Sequence, residues 1–161
     1  MEIDGWKDDF STEFLFEMEL ALLSETQGPW SIGDTPSGRR FVGGIVGGTF
    51  EGPAATGKLA PVGTDFAWIR PDGVLVPNVD LVLEPSDGPA FALHYEGMID
   101  SWLDLQRLRQ GEDVDVSRIN WTIVANFDVP EGPHEWLNRA VVAARGRVVG
   151  KRFRYRFFRL V

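Results

Sequence analysis

Asp65 stands immediately before the apolar run Phe66-Ala67-Trp68-Ile69, and Tyr95 continues the alternation of Phe91 and Leu93 in another segment. A carboxylate and a phenol embedded in apolar sequence suit proton transfer. Desolvation keeps an aspartic acid protonated toward neutral pH, and a phenol donates a hydrogen bond to developing negative charge. Asp65 and Tyr95 are therefore the candidate catalytic pair. Arg40 and Arg70 are the candidates to hold a substrate carboxylate or phenolate, because a guanidinium binds such groups through a planar fork of donors. Asn138, directly after Trp136-Leu137, is a further short polar group in an apolar run. The plainer account of these polar residues is that they satisfy turn backbones, since buried polar groups need partners.

Aromatic residues supply the walls such a pair would need. The chain holds six Trp and eleven Phe. Trp121 shares a strand face with Ile123 and Phe127, and Trp68 shares one with Phe66 and Arg70. Trp30, Trp102 and Trp136 fall in loops or helical turns. Aromatic side chains dominate ordinary cores, but a loop has little reason to carry a large amphipathic ring unless it borders a pocket. Trp30, Trp68, Trp121 and Trp136 are therefore taken with Arg40, Arg70 and Asn138 as candidate substrate-binding residues.

Other chemistries lack their residues. The absence of cysteine excludes disulfides, thiolate catalysis and thiolate metal sites. The two histidines, His94 and His134, lie forty residues apart with no HExxH or HxH pairing, so no metal centre is expected. There is no nucleophile elbow, P-loop or dinucleotide fingerprint, and the Gly-rich run Gly43–Gly48 opens no helix. No cofactor is expected.

Charge argues against nucleic acid. The net charge is −8, yet residues 139–161 carry eight Lys/Arg and no acid, leaving eight bases against 24 acids in the other 138 residues. A negative body repels phosphate backbones. The terminal cations alternate with apolar residues, as on the solvent face of a strand beside acidic neighbours. No stretch approaches the roughly 18–20 apolar residues of a membrane span. Glu2, Asp4, Asp8 and Asp9 are the reverse of a basic leader, so a cytoplasmic location is expected.

The elements that must position these residues are strands. At 161 residues, 43% hydrophobic and 25% charged, the chain suits one domain over 1–161. It has no internal repeat. Phe14, Phe16, Met18 and Leu20 alternate with Glu17 and Glu19, and Phe153, Tyr155 and Phe157 alternate with Arg154 and Arg156. A one-residue slip would turn either apolar face into water. Shorter strands follow around Arg39–Phe50, Gly57–Pro61, Asp65–Arg70, Val79–Glu84, Ala90–Glu96, Ile119–Phe127 and Ala140–Val149, with turns at Pro71-Asp72-Gly73 and Pro85–Gly88. Met98 to Gln110 has helical spacing and predicts one surface or lid helix over about 98–110, and a short turn is expected over Pro133–Asn138. Eight to ten short strands bury their edges best by closing, so the expected fold is mainly β: a closed antiparallel barrel. The Gly43-Gly44 and Gly47-Gly48 pairs suit sharply bent strands.

Several motifs resemble one family. Trp30–Arg40, containing Gly33-Asp34-Thr35-Pro36-Ser37-Gly38-Arg39-Arg40, is similar to the G-x-T-P-x-G-x-R opening of the domain of unknown function 3237 family. Gly47–Pro53 resembles its G-G-x-x-x-G-P signature, and Gly57–Asp65 its G-x-x-x-P-x-G-x-D segment. Arg70-Pro71-Asp72-Gly73, Asp87-Gly88, Tyr95-Glu96-Gly97 and Trp136-Leu137-Asn138-Arg139 follow in order. The resemblance implies a small antiparallel barrel, often a homodimer, and for most members no assigned activity. The Met98–Asn120 region is longer than the family leads one to expect, which points to a lid of this chain's own.

These readings converge on a barrel binding a small hydrophobic molecule, aromatic or polycyclic. It reads first as a cofactor-independent enzyme, a lyase, isomerase or cyclase working by positioning and proton transfer. A non-catalytic carrier barrel with the same walls is the alternative, and a structural subunit a third.

Overall fold

The computed structural model describes residues 5–7 and 9–161. Glu2, Asp4 and Asp8, part of the N-terminal reading above, lie outside the described residues. Alternating sequence becomes strand throughout. The strands are β1 (Thr12–Leu22), β2 (Trp30–Thr35), β3 (Gly38–Glu51), β4 (Gly57–Leu59), β5 (Gly63–Ile69), β6 (Leu75–Val76), β7 (Asn78–Pro85), β8 (Phe91–Ile99), β9 (Trp121–Asp128), β10 (Val141–Val149) and β11 (Arg152–Leu160). All eleven join one antiparallel sheet, and all but the two-residue β6 are longer than two residues. The ring runs from β1 through β11, β10, β9, β8 and β7 to β4, β5 and β3, which pairs back onto β1. Closure satisfies the edges that an open sheet would expose.

β3 closes the ring by serving four neighbours. Its first half pairs with β2 on one edge and β5 on the other, and its second half with β1 and β4. Gly48 makes this bend possible. Its φ is +142°, and a Cβ there would lie 2.1 Å from the Glu19 carbonyl oxygen of β1.

The terminal strands lie side by side, with Glu17 opposite Arg156 and Glu19 opposite Arg154. The cations of the basic terminus form the outer face there, as its alternation predicts. Glu19 bonds Arg154 at 2.6 Å and Arg152 at 3.0 Å, and Glu17 bonds Arg147 at 2.8 Å. A shift in register between Phe14 and Phe16 changes one expectation. The bulge buries Leu15 and leaves Phe14 half-buried outside, against Phe158 and beneath the Arg156 guanidinium.

One helix, α1 (Trp102–Arg109), crosses one end of the barrel, and it is shorter than its sequence predicts. Met98 and Ile99 belong to β8, where Ile99 pairs with Trp121 and Leu75 and Met98 faces outward, 53% exposed. The chain turns at Ser101, whose φ of 61° and ψ of 46° separate strand from helix. Trp102 and Leu105 are the residues α1 buries, while Leu103 is exposed. The short turn near 133–138 appears as a 3₁₀ helix over Glu135–Arg139.

Inside, the two ends differ. Phe16 packs on Phe50 at 5.4 Å and on Phe157 at 4.9 Å between ring centroids, plugging one end. Along β11 the inward residues run Phe157, Tyr155, Phe153, from this plug toward the end covered by α1, where space is left.

Candidate active site

That space is a cavity of about 520 Å³. Inward positions of adjoining strands form its wall: Leu20 and Leu22 of β1, Phe41 and Ile45 of β3, Val79 of β7, and Phe153 of β11. Asp65, Tyr95 and Tyr155 add polar side chains to this wall, Ser24, Ser31, Arg39 and Arg40 also belong to the lining, and α1 adds Trp102, Gln106 and Arg109 at the mouth. Strand parity explains the set. Asp65 and Ala67 point inward on β5, so Phe66 and Trp68 point out; Tyr95 shares its face with the buried Leu93 and Phe91.

Asp65 is fixed by the Asn78 backbone N–H, which donates to its Oδ1 at 3.0 Å. It lies well below the barrel surface, yet one side faces the cavity and stays open to solvent. Across the β3–β5 ladder its partner is Gly43. With no side chain at Gly43, that side of the carboxyl group stays open. Burial raises the Asp65 pKa from 3.8 to about 6, opposed by the Asn78 hydrogen bond.

The two tyrosine rings stack obliquely, 5.2 Å apart at 52°. Tyr95 is 1% exposed. Burial first, then Tyr155 and the charge of Asp65, push the Tyr95 hydroxyl far above its usual range. Burial also raises Tyr155, with contacts from Tyr95 and Trp121 acting against it and Asp65 adding to it. Both phenols therefore remain protonated donors beside a carboxyl group that titrates near neutrality. Behind Tyr155, Trp121 packs edge-on at 5.2 Å and 87°. Its indole nitrogen is buried with no hydrogen-bond partner.

Of the residues proposed from sequence, Asp65 and Tyr95 line this cavity together. Trp121 lies one layer behind the lining, 2% exposed. Of the other six, five stand elsewhere and Arg40 reaches only the cavity's border. Trp30 is not in a loop: it opens β2, 64% exposed, and pairs with Val42 on the outer face. Trp68 occupies the same outer face, with Phe66 close by. Arg40 borders the cavity, but its guanidinium carbon lies 4.8 Å above the outward Trp68 ring. Arg70 pairs with Asp72 and lines an outer groove beside the mouth instead. Trp136 sits outside under Arg159, with Arg159 Cζ 5.5 Å from its ring. Asn138 makes both of its amide bonds to Val129, each 2.8 Å, and so anchors a loop.

Tyr155 and Arg109 line the cavity but were not among the residues proposed from sequence. Tyr155 carried a signal, a hydroxyl on the inward face between Phe153 and Phe157. Arg109 carried none, because helical spacing alone placed it with the solvent-facing charges. The histidines are elsewhere too: His134 is buried with Nε2 2.6 Å from Asp87, and His94 lies outside beside Asp80. Among the described residues no cluster of three or more His, Asp or Glu is placed to share a metal ion. None of the helices among them is long and apolar enough to cross a membrane.

Closed ring, plugged end and helix-covered cavity define a class, the small antiparallel barrels with a single-ended interior. Within it, this chain belongs to the family described as Protein of unknown function (DUF3237), whose profile matches residues 10–160. A UPF0311 protein from Bradyrhizobium diazoefficiens is 32% identical over 113 residues, covering 70% of this chain and 74% of the relative. A crystal structure of a beta-barrel like protein from Acinetobacter baumannii superposes with a TM-score of 0.81 at 27% identity, covering 96% of this chain and 98% of that one. A protein from Penicillium herquei, described as an enzyme, shares the fold with a TM-score of 0.73 at 14% identity, covering 99% and 100%.

Proposed function

We propose that the chain is a cofactor-independent acid/base enzyme acting on a small hydrophobic molecule, aromatic or polycyclic, in a lyase, isomerase or cyclase step. The observation that carries this reading is Asp65: a carboxyl group with a pKa raised to about 6, open to an apolar cavity that also holds two protonated tyrosines. A base whose pKa lies close to the working pH is well matched to proton transfer. In the proposed step the Asp65 carboxylate takes a proton from a carbon beside a carbonyl. The C–H bonding pair forms the C=C bond of the enolate as the carbonyl π pair moves onto oxygen, where a tyrosine hydroxyl donates a hydrogen bond. The proton then returns to the same or another atom, giving exchange or isomerisation; in ring closure the enolate carbon instead attacks a second carbonyl of the same molecule, whose oxygen takes the displaced electron pair and then the proton. That the Penicillium herquei protein is described as an enzyme adds modest support, since the likeness reaches the fold alone.

The test uses 2-tetralone, a bicyclic aromatic ketone with acidic C–H bonds, in deuterium oxide. Proton NMR is expected to record faster deuterium uptake with the wild-type protein than in buffer. Asp65→Asn should abolish the acceleration while the ketone still broadens or shifts protein resonances. Binding without acceleration would assign the barrel to carriage instead, and exchange that survives Asp65→Asn would remove Asp65 from the chemistry.

A further inference from the structure

The cavity has an end of opposite character to Asp65. Arg109 lines the mouth from the last turn of α1, and its guanidinium carbon lies 4.7 Å from the Phe153 ring centroid. Gln106, one turn earlier, faces the same space. Most arginines near it are committed to carboxylates. Arg107 holds Glu112 at 2.7 Å and Asp104 at 3.4 Å, and Arg39, across the mouth, pairs with Asp34 at 3.4 Å. Glu25, whose charge acts on Arg109, pairs at 3.7 Å with Arg152. Among the described residues Arg109 has no carboxylate partner of its own. Burial lowers its pKa, so part of its hydration is already lost. A half-buried cation spread over an aromatic face keeps its N–H edge free for a planar anion.

We propose that Arg109, assisted by Gln106, is the specificity site for an anionic group on the substrate, a carboxylate or phenolate held at the mouth while the apolar body reaches down to Asp65. This deepens the acid/base reading and rests on the cavity being the binding site. The two charges also orient the guest. Asp65 at its ionised end repels an anion, and Arg109 attracts it, so the reacting carbon is delivered to the floor and not the mouth. The helix that carries Arg109 lies in the stretch that looked long for the family, so the selectivity is expected to be particular to this chain.

Calorimetric titration of benzoate, 2-naphthoate and 9-anthracenecarboxylate, each against its neutral primary amide, tests the proposal at pH 7.5. At least one ring size is expected to bind wild type about tenfold or more tightly as the acid than as the amide, the scale of a desolvated charge-assisted pair. Arg109→Met should bring the two forms close together by weakening the acid, with the amide unchanged, and Arg109→Lys should keep part of the preference. Equal binding of acid and amide by wild type overturns the anion site, and that comparison needs no variant. A preference that survives Arg109→Met assigns it to another cation and overturns the role of Arg109. In both cases the cavity reading stands because the ligands bind; binding of neither form at any ring size overturns the cavity reading together with the proposal.

Discussion

Gly43 faces Asp65 across the β3–β5 ladder, and a methyl group built on Gly43 would approach no atom closer than the Asp65 Cβ, at 3.9 Å. The glycine is therefore not there to relieve a clash. It leaves the space beside the carboxyl group open to a ligand in the cavity.

A larger residue at this position should separate binding from folding. Gly43→Val places its branches in the cavity and suits a strand, so stability should stay within about 1 kcal/mol of wild type. Affinity for the ligands above should fall about tenfold or more, because the lost space lies beside the reacting group. Calorimetry paired with urea denaturation checks this, and undiminished binding would place the guest elsewhere.

Asp65 makes stability depend on pH in a definite direction. Its folded pKa, about 6, lies above the ordinary 3.8, so its contribution is complete below about 3.8 and is lost as pH rises through 6. Asp65→Asn keeps an acceptor for the Asn78 N–H and has no charge to desolvate. It should be more stable than wild type by about 1–2 kcal/mol at pH 8, after allowance for the solvent that enters by the mouth. The gap should close by pH 4, as denaturation of both proteins across this range would record.

Glu19 runs the opposite way. Hydrogen bonding from Arg152, with Arg154 adding to it, outweighs burial and lowers its pKa below 4.5. Its contribution is present above the ordinary glutamate value and lost as pH falls through the folded one. Glu19→Gln should cost stability at pH 7 and little at pH 2.5. A cost that persists at low pH would mean the residue acts through packing instead.

Gly146 is a packing requirement. A Cβ there would lie 2.1 Å from the Trp121 ring, which is itself wedged against Phe153 and Tyr155. Gly146→Ala should cost about 1–3 kcal/mol by forcing the ring to move. For a domain of this size that corresponds to a melting temperature lower by roughly 2–4 °C for each kcal/mol. An unchanged melt would contradict the tight fit.

The outward tryptophans should be inert in binding. Trp68→Ala and Trp136→Ala are expected to leave ligand affinity within about twofold, as truncations away from a site usually do. Phe153→Ala, which removes the platform under Arg109, should weaken the acids more than their amides. A large loss from Trp68→Ala would bring the outer face into the site.

Period-2 alternation was sufficient for the barrel, because an inward face must be apolar wherever the sheet closes. It placed Tyr95 inward through Phe91 and Leu93, and Asp65 as a polar group entering an apolar run. The same parity does not place Trp68. Phe66 and Trp68 look like a core face, yet Asp65 and Ala67 point inward and the aromatic pair faces out. In a strand with apolar residues on both faces, only the neighbouring strands decide which face is core. The bulge at Leu15 reversed Phe14 for a related reason, since one extra residue changes parity and leaves no mark in composition.

The sequence by itself determined that this is a mainly β chain with alternating terminal strands, a basic edge answered by acids, and an isolated carboxylate and phenol among apolar residues. These are local properties, legible in residue order because side chains alternate strictly along a strand. Tertiary structure decided which strands meet. Closure of β3 on β1 and the crossing of α1 brought Tyr155, ninety residues from Asp65, and Arg109, forty-four residues away, to one cavity. No spacing rule links such positions. Their proximity exists only because the ring closes and the helix covers its open end.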